Sequence, residues 1–159
     1  MFKRMPLFAL ALGVLFSAVL LGTLWFVNAR IAKPKSLGVQ NGRLQPCPDS
    51  PNCVSSQADL PQALVKPLSF TGPPDAVLSH LDSILASLPR ARLITTRPDY
   101  RHYEFRTLLC RYVDDVELLL DRPKGQIHIR SASRLGYSDL GANRRRVESI
   151  RKLWQESSP

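Results

Sequence analysis

An uncharged apolar stretch near the amino terminus most strongly limits what this chain can fold into. It runs from Pro6 to Val27, 22 residues interrupted only by small or weakly polar side chains. A helix of that length covers about 30 Å, the hydrocarbon thickness of a bilayer, and Trp25 lies near its far end, where aromatic residues meet the interface. The alternative is a signal peptide following Lys3 and Arg4, but its apolar region would span only about 7 to 15 residues. We therefore predict a membrane anchor, or an uncleaved signal, within residues 1–29.

The side of the membrane on which the remaining chain lies is indicated by its cysteines. Basic residues flank both ends of the apolar stretch, so charge does not decide the orientation. Cys47 and Cys53 bracket a loop of turn-forming residues in which a short disulfide is geometrically plausible, and disulfides persist in oxidising compartments. We expect a single-pass protein of the inner (cytoplasmic) membrane with its soluble domain facing the periplasm or the cell exterior. Residues 30–45 have the composition of a juxtamembrane linker.

Other roles for the cysteines stay open from the residues alone. Five residues separate Cys47 from Cys53, whereas zinc-binding pairs have about two to four and thioredoxin-like motifs about two, which disfavours a metal or redox site. Cys110 falls in an apolar pattern that predicts a strand, where it would be a small buried hydrophobe. A bridge between Cys47 and Cys110 remains an alternative.

Residues 46–156 predict one α+β domain. Apolar residues recur at helical spacing over residues 74–88 and again after Ser138 or Asp139, where Val147, Ile150 and Trp154 share a face. Strand patterns cover the segments 65–70, 92–97, 100–112, 116–121 and 126–133. The order of one strand, a helix, four antiparallel strands and a helix favours a two-layer sandwich, with both helices on one face of a sheet of about five strands.

Polar residues are densest from Arg130 to Arg146, where a strand end, a glycine-containing loop and a helix start meet. Backbone amides, serine hydroxyls and guanidinium groups can together hold a phosphate, sulfate or carboxylate. The structural alternative is that Ser138 and Asp139 cap the helix while the arginines pair with carboxylates. Asp114 and Asp115 are adjacent, so on a strand they point to opposite faces, which favours such pairing over shared catalysis.

Several other function classes are disfavoured by the sequence. His80, His102 and His128 lie on three separate predicted elements, so we expect no metal site. No dinucleotide or phosphate-binding fingerprint is present, so we expect no cofactor. The net charge of +9 fits anionic lipid headgroups beside a bilayer better than nucleic acid, and no nucleic-acid partner is expected.

Three polar motifs carry the most specific signal in the chain. They are CPDSPNCVSS (47–56), VDDVE (113–117) and IRSASRLGYSDLG (129–141), the last followed by Asn143, Arg144 and Arg145. These motifs resemble the bacterial and plastid family called domain of unknown function 1499, over roughly residues 44–153. The resemblance implies a small exported, lipid-anchored or membrane-anchored protein with no established activity. It also implies that Cys47 pairs with Cys53, because family members often carry an aromatic residue at the position of Cys110.

We therefore expect a membrane-tethered extracytoplasmic module that binds an anionic group, such as a lipid headgroup or an envelope metabolite. The expected ligand-binding residues are Arg130, Ser133, Arg134, Tyr137, Asn143 and Arg144, supported by Asp114, Asp115 and Asp139. Membrane lipid and a small anionic ligand or an envelope protein are the expected partners. One alternative is an assembly protein without a small ligand, in which the motif locks the loop to the sheet. The other is a hydrolase-like envelope enzyme with Asp114 or Asp139 as base; the sequence favours a protein that is not an enzyme.

Overall fold

The amino-terminal helix is long and apolar enough to cross a membrane. A computed structural model describes residues 7–29, 34 and 37–157. Helix α1 comprises Leu7–Ala29, and the span Phe8–Val27 within it meets the length and composition of a membrane-crossing helix. A signal sequence has the same properties. The predicted apolar helix is therefore confirmed, and its use as an anchor belongs to the proposal made below.

A six-stranded antiparallel sheet forms the centre of the domain. The strands that precede the first packed helix are β1 (Val39–Gln40), β2 (Arg43–Leu44), β3 (Cys53–Ser55) and β4 (Leu68–Ser69). Those that follow it are β5 (Ala91–Arg97), β6 (Tyr100–Arg106), β7 (Val113–Asp121) and β8 (Gln126–Ser133). The sheet order is β3-β8-β7-β6-β5, and β4 pairs with β8 next to β3. Strands β1 and β2 form a separate hairpin.

Two helices cover one face of this sheet, which confirms the predicted two-layer α+β architecture. Helix α2 (Pro74–Ser87) buries Leu81 and Leu85, and helix α3 (Ala142–Ser157) buries Ile150. These side chains belong to one core cluster with the sheet residues Tyr103, Phe105, Val116, Leu118, Leu120, Ile127 and Ile129. The period-two alternation of β6, β7 and β8 thus places one set of side chains against the helices and the other on the opposite face.

The structure differs from the sequence prediction in several places. The strand predicted over residues 65–70 is reduced to β4 (Leu68–Ser69), and the strand predicted from residue 116 begins at Val113. Strand β6 ends at Arg106 instead of residue 112, and Cys110 lies in the following loop, half-buried and free. The apolar residues Leu108 and Leu109 suggested a longer strand, but both are 69% exposed. Strand β3 was not predicted, because three residues are too few to show an alternation.

Another difference concerns residues 30–45, expected to be a linker, of which residues 30–33, 35 and 36 lie outside the described residues. Val39 and Leu44, on the β1–β2 hairpin, pack with Tyr100 and Leu119 in a second small apolar cluster. Both partners lie on the sheet face opposite to the helices, because they alternate with core residues of β6 and β7. The second half of residues 30–45 therefore covers part of this face.

Candidate functional site

The two adjacent aspartates of β7 point to opposite faces of the sheet, as expected. On the helix side, Asp114 Oδ2 accepts a hydrogen bond of 2.6 Å from Arg146 Nη2. On the other side, both carboxylate oxygens of Asp115 accept from Arg134, at 2.8 Å from Nε and 2.7 Å from Nη2. Each aspartate therefore neutralises one arginine of the polar motif, and the two cannot act on one substrate.

Asp115 is the centre of a buried ionic cluster on the face opposite to the helices. The cluster comprises Glu104, Asp115, Glu117, Arg130, Arg134 and His102, whose side chains are all at least nine-tenths buried. Arg134 also binds Glu104, and His102 Nε2 lies 2.6 Å from Asp115 Oδ1. Arg130 Nη1 donates to Glu117 Oε2 at 2.9 Å. Alternation along β6, β7 and β8 brings these residues together on the same face, and Arg134 continues the alternation directly after the end of β8.

The charges of this cluster compensate one another. Burial acts to raise the pKa of Asp115, but the hydrogen bonds from Arg134 and His102 outweigh it and hold that pKa below its ordinary value. Burial also acts to raise the pKa of Glu104, but the hydrogen bonds from Arg106 and Arg134 outweigh it and hold that pKa below its ordinary value. Hydrogen bonding to Asp115 raises the pKa of Arg134, against the effect of burial. Arg134 therefore keeps its proton, but its charge is neutralised inside the protein.

The six expected ligand-binding residues do not share one pocket. Arg130, Ser133 and Arg134 line a cavity of about 300 Å³ together with Cys47, whereas Tyr137 and Arg144 line another of about 300 Å³ together with Cys53. Arg130 Nε is buried without a hydrogen-bond partner among the described residues. The first cavity thus offers an unsatisfied donor, but the charges of its two arginines are already paired. Ligand binding by this set as a whole stays a prediction.

Asn143, the remaining member of the set, is fully buried at the start of α3. Its Oδ1 accepts hydrogen bonds from Ser131 Oγ at 2.6 Å and Arg146 Nη1 at 2.7 Å. Its Nδ2 donates to the carbonyl of Asn52 and to Ser133 Oγ, both at 2.9 Å. An amide has two donor hydrogens and an acceptor oxygen with two lone pairs, so the side chain is saturated. It fastens the disulfide loop to β8 and α3.

Asp139 serves as a cap for α3. Its Oδ2 accepts a hydrogen bond of 2.7 Å from the backbone N–H of Asn143, and its Oδ1 accepts one of 2.9 Å from Gly141. Such bonds satisfy N–H groups that the first turn of a helix leaves unpaired. With Asp114 bound to Arg146, both carboxylates considered as candidate bases are engaged by donors of the protein itself.

A disulfide joins Cys47 to Cys53, with the two Cα atoms 5.6 Å apart. The bond closes a loop of six residue steps, for which the chain-entropy treatment gives a stabilisation of about 2 kcal/mol. We expect the double replacement Cys47→Ser, Cys53→Ser to lower the melting temperature of the full chain in phosphatidylcholine nanodiscs by about 8 °C. Cys110→Ser, at the free cysteine, is the control and should leave the melting temperature nearly unchanged. Equal melting temperatures for the double variant and the wild type would contradict this.

A region that the sequence interpretation did not consider lies where β4 meets both helices. An apolar cavity of about 560 Å³ is lined there by Phe70, Pro73, Val77 and Trp154, among others. Beside it runs a basic groove of about 810 Å³, whose charged lining residues are Lys66, Arg144, Glu148 and Arg151. Ser69 and Trp154 line both. No sequence motif indicates this region, because its residues come from separate segments that only the folded chain brings together.

The described part of the chain contains no group of three or more His, Cys, Asp and Glu residues that could hold a metal ion. His102 and His128 lie on the sheet face opposite to the helices, whereas His80 lies on α2 with its ring centroid 5.3 Å from that of Trp154.

Comparison with known proteins places the domain in a family. The sequence model of the family described as protein of unknown function (DUF1499) matches residues 43–153. The matched range contains the ionic cluster, Asn143, the charged residues of the basic groove and most of α3. No curated protein and no solved structure matches the chain. Because the match covers more than half of its residues, the chain belongs to the DUF1499 family.

Proposed function

We propose that this protein is a membrane-tethered extracytoplasmic module that binds an anionic ligand. Helix α1 has the length and composition of a membrane anchor. The Cys47–Cys53 disulfide supports an oxidising compartment for the domain. The basic residues of the domain supply the attraction for an anion, provided that some of them are not already neutralised.

The basic groove carries the proposal, because its positive charge is not compensated. Arg144 Nη2 donates to the carbonyl of Gln62 at 2.6 Å, and its Nη1 donates to that of Leu64 at 3.2 Å. These carbonyls orient the guanidinium group without neutralising it. Lys66 adds a second cation with no carboxylate at ion-pair distance in the part of the chain that the structure describes.

The remaining charges of the groove leave this balance unchanged. Arg151 Nε pairs with Glu148 Oε2 at 2.9 Å, so these two charges cancel. The groove therefore presents the uncompensated charges of Lys66 and Arg144. Arg130, Arg134 and Arg146 differ, since each is paired with a buried carboxylate. Arg145 is exposed, donates to the carbonyl of Leu140 and does not line the groove. Arg144 is the expected ligand-binding arginine best able to meet an anion.

The anion is tested with glycerol 3-phosphate, which carries the charged part of a lipid headgroup without an acyl chain. The full chain, held in phosphatidylcholine nanodiscs, is titrated while its backbone amide signals are followed by NMR. We expect saturable shifts of the amides of Lys66 and Arg144. Lys66→Glu should weaken the apparent affinity at least tenfold, because it replaces an attractive charge with a repulsive one.

A matched charge reversal separates specific binding from general attraction. The control is Lys152→Glu, because Lys152 lies on α3, is exposed and lines neither the groove nor the apolar cavity. It should leave the affinity for glycerol 3-phosphate within about twofold, because surface charges are well screened at physiological salt. Equal losses in Lys66→Glu and Lys152→Glu, or the absence of saturable shifts in the wild type, would contradict the proposed binding site.

The location of the domain is tested by adding protease to cells whose outer envelope layers have been removed and whose cytoplasmic membrane is intact. The domain should be digested without lysis, whereas a cytoplasmic control protein should survive. Survival of both until lysis would place the domain in the cytoplasm and would contradict the proposal.

A further inference from the structure

The apolar cavity is built to receive an apolar group. Its volume of about 560 Å³ lies within the range of small-molecule sites, about 300 to 1,000 Å³. Trp154 Nε1 donates to the carbonyl of Ser69 at 2.9 Å, and His80 Nε2 lies 2.9 Å from Ser157 Oγ. The indole N–H of Trp154 and Nε2 of His80 are therefore engaged by the protein. The surface around the cavity, to which Phe70 and Val77 also contribute, is therefore largely hydrocarbon and aromatic.

The apolar cavity and the basic groove are adjacent, and this is what identifies an occupant. Both of them are lined by Ser69 and Trp154. The carbonyl of Ser69 accepts the hydrogen bond from the indole N–H of Trp154. A molecule that enters the cavity with an apolar tail therefore has its other end in the groove, which Lys66 and Arg144 line. Charge complementarity requires that end to be negative. The two halves of the site thus match the two ends of an anionic amphiphile.

The tether makes lipid the natural source of such a molecule. If α1 crosses the bilayer, the domain is held at a lipid surface, and the effective concentration of amphiphiles near it is high. Burial of an acyl chain contributes about 0.8 kcal/mol per methylene group. Several methylene groups together can therefore add more binding free energy than an exposed ion pair provides.

We infer that the ligand is an amphiphile with an anionic head and an acyl chain, whose chain occupies the apolar cavity and whose head lies against Lys66 and Arg144. This inference rests on the proposed function and specifies its ligand class. A free fatty acid and an anionic phospholipid share this chemistry, and the site recognises the parts that they have in common.

The test uses 9,10-dibromostearate, whose bromine atoms quench nearby tryptophan fluorescence. The full chain carries Trp25→Phe, so that Trp154 is the only tryptophan left, and is held in phosphatidylcholine nanodiscs. We expect saturable quenching of Trp154. Ala76→Phe places a phenyl ring in the apolar cavity, since Ala76 lines it and does not line the groove. It should weaken the apparent affinity at least tenfold.

Two controls make the result specific. Ala86→Phe, at an exposed position of the same helix that lines neither site, should quench like the parent protein. The methyl ester of dibromostearate, which lacks the charge, should bind at least tenfold more weakly than the acid. Equal quenching in the parent, Ala76→Phe and Ala86→Phe proteins would mean that the probe only dissolves in the bilayer, and would overturn the inference.

Failure of this inference can be told apart from failure of the proposed function. If dibromostearate shows no dependence on Ala76→Phe while glycerol 3-phosphate still binds at Lys66 and Arg144, the inferred ligand class is wrong and the anion site stands. If glycerol 3-phosphate does not bind and dibromostearate does not quench saturably, both proposals are wrong. Ala76→Phe should keep the glycerol 3-phosphate affinity of the parent protein, because the headgroup contacts lie in the groove.

Discussion

Replacement of Arg134 by alanine is expected to lower the free energy of unfolding by about 3 to 5 kcal/mol, because it removes one partner of a buried ionic cluster. Asp115 and Glu104 would keep their burial and lose the guanidinium group that bridges them. Thermal unfolding of the full chain in phosphatidylcholine nanodiscs measures the loss. Arg122→Ala is the matched control, since its pair with Asp99 is nearly half exposed and is worth at most about 1 kcal/mol.

The pH dependence of this loss separates an ionic effect from a packing defect. The pKa values of Asp115 and Glu104 lie below their ordinary values of 3.8 and 4.5 in the folded protein. Groups with lowered pKa values stabilise the fold above those ordinary values, and this stabilisation is lost as the pH falls through the lowered ones. Arg134→Ala lacks that contribution, so its deficit relative to the wild type should shrink below about pH 4. A deficit that stays constant from pH 7 to pH 3 would indicate a cavity effect alone.

The period-two alternation made part of this arrangement predictable. Adjacent residues of a strand lie on opposite faces, so the sequence predicts that Asp114 and Asp115 are separated and favours their pairing with arginines over shared catalysis. The identity of each partner was not predictable. Arg146 reaches Asp114 only because α3 packs on that face, and Arg134 reaches Asp115 because β8 pairs with β7.

The basic groove and the apolar cavity could not be predicted from the sequence. Lys66 precedes a strand of two residues, and Arg144 lies on a helix nearly eighty positions later. Their proximity follows from the pairing of β4 with β8 and from the packing of α3 across the same sheet. Local sequence patterns indicate the periodicity of single elements, whereas this site is formed where β4, α2 and α3 contact one another.

The role of the fully buried Asn143 could not be assigned from the sequence and required its contacts in the structure. In the sequence it was one polar residue of an anion-binding set, together with Ser133 and Arg144. In the structure its four hydrogen bonds go to the protein itself. A saturated amide has no capacity left for a ligand. Its role is therefore the locking of the loop to the sheet, which the sequence interpretation gave as an alternative for the whole motif.

Replacement of Asn143 by leucine should therefore destabilise the fold by at least about 3 kcal/mol. Leucine has a similar volume but leaves buried polar groups without partners, each of which costs about 1 to 3 kcal/mol. The groups affected are the carbonyl of Asn52 and the side chains of Ser131, Ser133 and Arg146. Gln155→Leu, at an exposed site of the same helix, is the control and should change the stability by less than about 0.5 kcal/mol.

A double-mutant cycle shows whether the loss comes from these hydrogen bonds. Ser133→Ala removes one partner of Asn143, so its effect should be smaller in the Asn143→Leu background than in the wild type, by about 1 kcal/mol. Ser79→Ala, on the exposed face of α2, shares no contact with Asn143 and should add independently. If Ser133→Ala is also additive, the hydrogen bond between Asn143 and Ser133 does not contribute to the stability, which would contradict this prediction.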